Sequence, residues 1–124
     1  MRAPEPLPAL RVVAAPEALD ELVVPDDHPT LRLAPDELLV IGSASVQVVG
    51  ENLVVDEAGF VGWWLTPDEV REQVVPHVDW PLPTARPALA QGLVAGVPAK
   101  LWLAEDRALL LCAAAYAPEL EERL

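Results

Sequence analysis

Residues 89–124 read LAQGLVAGVPAKLWLAEDRALLLCAAAYAPELEERL, and this stretch decides the fold. Its runs of Leu, Val, Ala and Trp, punctuated by Gly, Pro and one charged cluster, predict three strands over residues 89–95, 99–103 and 108–113. Residues 104–107, Ala-Glu-Asp-Arg, supply the turn between the last two. Period-two alternation puts Leu101, Leu103, Leu109 and Leu111 on one face, with Lys100, Trp102, Leu110 and Cys112 on the other. Neither face is polar, so the sheet is expected to be covered on both. A short helix over residues 118–124 then buries Leu120 and Leu124. Between Leu89 and Tyr116 the only ionisable side chains besides Cys112 are Lys100, Glu105, Asp106 and Arg107. The stretch is built to make sheet, and it places packing or assembly ahead of catalysis.

Working outward, the region before it is cut into short elements by prolines, fourteen in the whole chain. Residues 1–8 are Pro-rich and read as a loose arm. Residues 9–14 read as a strand and residues 16–22 as one or two helical turns, with Pro16 at an early position and Glu17 near the positive end. Residues 25–29, Pro-Asp-Asp-His-Pro, form a turn. Residues 31–33 and 38–41 flank Ala-Pro-Asp-Glu, which is hairpin chemistry. Residues 46–49 and 53–55 carry further strand character, and residues 56–59 are expected to turn the chain into a hairpin with FVGWWL, residues 60–65.

Thr66-Pro67-Asp68-Glu69 is a capping box with Pro at N1, and predicts a helix from Pro67 to about Val75. Val70 and Val74 mark its inner face, and Pro76 stops or bends it. Residues 76–87 form a Pro-rich crossover into the three strands. The expected fold is α+β: antiparallel hairpins in a mixed sheet with two main helices, in one domain spanning residues 1–124.

Composition narrows the function classes. The chain is 52% hydrophobic yet carries a formal net charge of −12, with only eight basic residues, scattered singly. Nucleic acid and anionic membranes need clustered Lys or Arg, so both are poor partners. No apolar run approaches the roughly 18 residues of a membrane span. The N-terminus, MRAPEPLPAL, lacks the apolar region of a signal peptide. A single cysteine, Cys112, forbids an internal disulfide and fits a reducing compartment, so a cytoplasmic location is expected.

Residues with chemical potential are few. Asp26, Asp27 and His28 are possible metal ligands, but consecutive side chains rarely converge on one ion, and a solvated turn is the expectation. His77 and Asp79 share a face in extended chain, without a Ser or Cys beside them to activate. Cys112 lies in an apolar strand, where a thiol behaves as a small hydrophobe. Gly92 and Gly96 fit a bulge or a close backbone approach, since no dinucleotide or P-loop fingerprint surrounds them. Trp63 and Trp64 are adjacent on a strand and point to opposite faces. With Trp80 and Trp102 they make four large rings, more than a small core readily takes, and such rings are enriched at interface centres.

LRLAPDELLV at residues 31–40, Val54-Val55-Asp56, Leu93-Val94-Ala95-Gly96-Val97-Pro98 with Leu101-Trp102, and Ala115-Tyr116-Ala117 with Leu120, taken in this order, resemble the sarcosine oxidase gamma-subunit family. Residues 31–40, LRLAPDELLV, are similar to that family's L-x-L-G-P-D-E-W-L-x run. Val54-Val55-Asp56, followed by Val61 and Leu65, looks like its V-D-x-S strand pair. Leu93-Val94-Ala95-Gly96-Val97-Pro98, followed by Leu101-Trp102, is similar to its L-A-G-V-P-x-x-L-W segment. Ala115-Tyr116-Ala117 with Leu120 matches its S-Y-A-x-x-L helix start. Ala34, Leu38, Ala58 and Ala114-Ala115 stand where the family pattern has Gly, Trp, Ser and Arg-Ser. The resemblance implies a fold like the folate-binding aminomethyltransferase domain. It also implies a small non-catalytic subunit of a flavin-containing heterotetramer, whose flavins, NAD and folate belong to the larger subunits.

The leading expectation is therefore a non-catalytic accessory subunit or interaction module, with no catalytic, cofactor or metal residues of its own. Its protein partner is a larger oxidase-type subunit or a second copy, and its interface contains Trp63, Trp64, Trp80, Trp102 and Leu110. A small-molecule domain for a pterin or folate-like ligand is the alternative, with a stacked Trp and Asp36, Asp56 or Asp79 as polar handle. An enzyme using His28 or His77 as base comes third.

Overall fold

The computed structural model describes residues 2–25, 27–42 and 45–124. The strands are β1 (Glu5–Pro6), β2 (Ala9–Ala14), β3 (Thr30–Ala34), β4 (Glu37–Ile41), β5 (Asn52–Glu57), β6 (Phe60–Leu65), β7 (Ala88–Val94), β8 (Val97–Leu103) and β9 (Ala108–Ala113). The helical elements are α1 (Pro16–Asp20), α2 (Pro67–Glu69) and α3 (Ala117–Arg123). α2 continues as a π turn (Val70–Val74) and a 3-10 turn (Val75–His77), and a 3-10 turn (Ala114–Tyr116) leads into α3. The fold is α+β. Every strand pairing is antiparallel, and the strands form two sheets where one mixed sheet was expected: β1-β6-β9-β8-β7 and β3-β4-β2-β5. Contacts group the chain into two compact units: Leu7–Ala58, and Gly59–Leu124 with the N-terminal segment that ends at Pro6. Among the described residues no helix is long and apolar enough to cross a membrane.

The larger unit is organised by the C-terminal strands. β8 and β9 pair with Leu101 opposite Leu110 and Leu103 opposite Ala108. A turn of four residues sets odd-numbered residues against even-numbered ones. Leu101 and Leu103 therefore share their face with Leu110 and Cys112, while Lys100 and Trp102 share theirs with Leu109 and Leu111. This corrects the sequence expectation, which carried one parity straight through the turn. Residues of both parities are buried all the same, Leu109, Leu110 and Leu111 completely. The core of this unit lies on the Leu101–Leu110 face, with Trp63 and Leu65 from β6, Val70 and Val74 from the α2 segment, and Leu120 from α3. Burying each such aliphatic side chain contributes about 1.5–3 kcal/mol.

The α2 segment starts on the predicted capping box. The Glu69 amide donates to Thr66 Oγ1 at 3.1 Å and the Thr66 amide donates to Glu69 Oε1 at 3.0 Å. The ladder then widens to π geometry before Pro76, which has no N–H to continue it. Of residues 1–8, expected to be a loose arm, the segment from Arg2 to Pro6 is held instead. Glu5 and Pro6 pair with Gly62 and Val61 on β6, and the Trp63 indole donates to the Arg2 carbonyl at 2.6 Å. The β7–β8 connection is a two-residue turn, with Ala95 at φ 50° and Gly96 at φ 80°. Positive φ at both positions is the geometry whose twist suits a tight hairpin.

In the smaller unit the Pro35-Asp36 turn joins β3 to β4 as expected, with a bulge at Leu33. Val12, Ala14, Leu19, Leu38 and Val40 form its core. Two expectations fail here. Residues 46–49 form no strand. β5 does not make a hairpin with β6: it pairs with β2, Leu53 opposite Val13 and Asp56 opposite Leu10, whereas β6 pairs with β1 and β9. The short Ala58-Gly59 link has the composition of a hairpin turn, but it passes the chain from one sheet to the other.

Candidate functional site

The residues expected to form an interface are mostly engaged inside their own unit. Trp63 is 1% exposed and Leu110 fully buried, so neither has surface left to give a partner. This corrects their place in the expected interface. Trp64 and Trp102 lie on the opposite sheet face and meet edge to face, with ring centroids 6.2 Å apart and planes at 87°. The Arg107 guanidinium sits over both, 4.6 Å from the Trp64 ring and 5.6 Å from Trp102, so the charged turn folds back over the aromatic pair.

Trp80, half-buried, lies against β7. Its indole donates to the Leu93 carbonyl at 3.1 Å, and a Cβ added at Gly92 would stand 2.9 Å from its Nε1. This is the close approach that the strand glycine signalled. Leu93 and Pro98 form the non-hydrogen-bonded pair next to the two-residue turn, so that carbonyl points away from β8.

The candidate chemical groups stay apart. His28 Nδ1 lies 3.0 Å from the Ile41 carbonyl and its Nε2 3.7 Å from Asp27. Asp26 lies outside the described residues. His77 is exposed, and its carbonyl accepts the Ala95 amide at 2.8 Å. Among the described residues no group of three or more His, Cys, Asp or Glu could hold a metal ion. Cys112 is buried, and burial pushes its thiol above the usual range, away from the reactive thiolate. The indoles of Trp63 and Trp80 donate to carbonyls, not to Asp36, Asp56 or Asp79.

Two features escaped the sequence reading. One is an open pocket of about 420 Å³ lined by Phe60, Gln91, Leu93, Lys100 and Tyr116 among others. In it Lys100 Nζ donates to Gln91 Oε1 at 2.9 Å and lies 5.9 Å from the centre of the Phe60 ring. The other is β5. It is the outer strand of its sheet, paired through β2 alone, and no further strand among the described residues lies along its outer side. Leu53, Val54 and Val55 are 56%, 38% and 40% exposed. Strand neighbours point to opposite faces, so this triad shows apolar surface on both. Alternate residues of such a strand direct N–H and C=O groups outward, a template for one more strand. The sequence signal was present in NLVVDE, an apolar triad closed by two acids, but the assumed hairpin gave it a partner on the wrong side.

No family model matches the chain, and no curated protein or solved structure matches it.

Proposed function

We propose that this chain is a non-catalytic interaction module, an accessory subunit similar in role to the gamma subunit of heterotetrameric sarcosine oxidase, and that it docks its protein partner at the β5 edge. The observation that carries this reading is the exposed Leu53-Val54-Val55 triad on an outer strand six residues long. Free edges are normally blunted by shortness, bulges, prolines or cover, because an open one recruits strands. An apolar open edge in a chain otherwise rich in carboxylates fits use by a partner through strand addition. The single cysteine fits work in the reducing cytoplasm.

The test is the Leu53→Glu, Val55→Glu double variant of a tagged chain expressed in its native host. The wild-type chain is expected to co-purify with one protein at fixed stoichiometry, and the variant to lose it while keeping its far-ultraviolet circular dichroism. A wild-type chain that runs as a monomer in light scattering and holds no stoichiometric partner would overturn the reading.

A second reading, binding of a flat acidic small molecule such as a pterin or folate, is favoured by the pocket at Lys100, Phe60 and Tyr116. Apolar walls with one cation and an amide suit a ring that carries a carboxylate. Saturable quenching of tryptophan fluorescence by folates, lost in Lys100→Ala, would establish it, and a flat titration would remove it.

A further inference from the structure

We infer that the β5 edge takes an extended segment of its partner in which a short run of apolar β-branched residues is flanked by Lys or Arg. The inference rests on the docking role given to that edge and adds the chemistry of what docks. Its basis is the distribution of charge. The unit Leu7–Ala58 holds ten Asp and Glu against two Arg, whereas the rest of the chain holds ten against six basic residues. Both arginines of the smaller unit are already committed. Arg11 bridges Glu37 and Glu57, the latter at 2.7 Å, and Arg32 holds Asp20 at 3.0 Å. The charge left over around the edge is negative.

The register shows where an incoming strand would feel it. Asn52, Val54 and Asp56 share one face of β5, and Asp56 stands opposite Leu10 on β2, with no cation across from it. Glu51, exposed, precedes the strand at its other end. An added strand with an apolar residue opposite Val54 and a Lys or Arg opposite Asp56 buries the triad and neutralises the acid beside it. The same distribution argues against a second copy as occupant. Antiparallel pairing of β5 with itself about Val54 sets Glu51 of each strand opposite Glu57 of the other, in chains that each carry −12.

The experiment uses the full chain and two short labelled peptides, blocked at both ends, in which three Val are flanked on both sides by Lys or by Glu. Fluorescence anisotropy is read at low and high salt. The Lys peptide is expected to bind and the Glu peptide not to, with affinity falling as salt rises. Removing one acid, as in Asp56→Asn, should weaken the Lys peptide about two- to fivefold. The Glu51→Lys, Asp56→Lys variant should exchange the preference, binding the Glu peptide instead. N-methylation of the Lys peptide at alternate residues should abolish binding, because it removes main-chain donors and leaves the side-chain charge in place. Equal binding of both peptides, or self-association of the chain in place of peptide binding, would overturn the basic-partner inference and leave the edge as a docking site. Binding of the Lys peptide with β5 amides unprotected in hydrogen exchange would overturn both.

Discussion

The two sheets end differently. The five-stranded sheet closes each side: β1 is two residues long with a proline, and β7 carries the Trp80 indole on its Leu93 carbonyl and over Gly92. In the four-stranded sheet β3 is broken by a bulge, and Arg32 runs from it to the carbonyls of Pro16 and Pro35. Among the described residues only β5 has none of these devices. Three edges of four are blunted among the described residues, and the fourth is the one to which the proposed docking role is given.

That contrast can be broken from the guarded side. Trp63→Ala removes the ring that joins β6, the arm and the α2 segment. It should cost about 3–5 kcal/mol in chemical denaturation, the largest effect expected of a single substitution. Trp80→Ala should cost about 2 kcal/mol, less than for a fully buried ring because Trp80 is half-exposed, and it should also uncover β7. Light scattering should then report concentration-dependent association that the wild-type chain lacks. An unchanged oligomeric state would mean that Trp80 guards nothing.

From the open side, Arg11→Met removes the cation that ties β5 to β4 through Glu57 and Glu37. It should cost about 1 kcal/mol in denaturation and speed amide exchange in β5 before that in β3. Ala95→Asn should stabilise by about 0.5–1 kcal/mol, because Asn tolerates the left-handed conformation that Ala95 holds at φ 50°. That gain sharpens the guarded edge without touching β5.

The smallest effect is electrostatic. The backbone hydrogen bond at Thr66, with Arg2 beside it, holds the Glu69 carboxyl below its usual range. A lowered folded-state pKa means stability that is present above the ordinary carboxylate value and lost as pH falls through the lowered one. Glu69→Gln should flatten that part of the acid limb slightly in a pH series of melts.

Much of this was legible in the sequence, and the exceptions have physical causes. The capping box, the Pro35-Asp36 hairpin and the strands of residues 89–113 are local signals, set within a few residues, and the structure keeps them. The pairing of β5 is set by distant residues: nothing within NLVVDE says that its neighbour is β2 and not β6. The face assignment of Leu109 to Leu111 turned on the register across one turn, which alternation alone does not fix. The open edge was hidden for the same reason, since an edge is defined by what fails to pair, and the pocket at Lys100 draws on five separate elements. Tryptophan content pointed to an interface, yet Trp63 was absorbed by the core, Trp64 and Trp102 by each other and Arg107, and Trp80 by β7.

The most direct test is hydrogen exchange on the chain, free and in complex with the partner it holds in its native host. The account predicts that β5 amides alternate between slow and fast in the free chain, and that the fast ones in residues 53–56 become protected in the complex. Protection gained instead at the Lys100–Tyr116 pocket or over Trp64 and Trp102, with β5 unchanged, would contradict it.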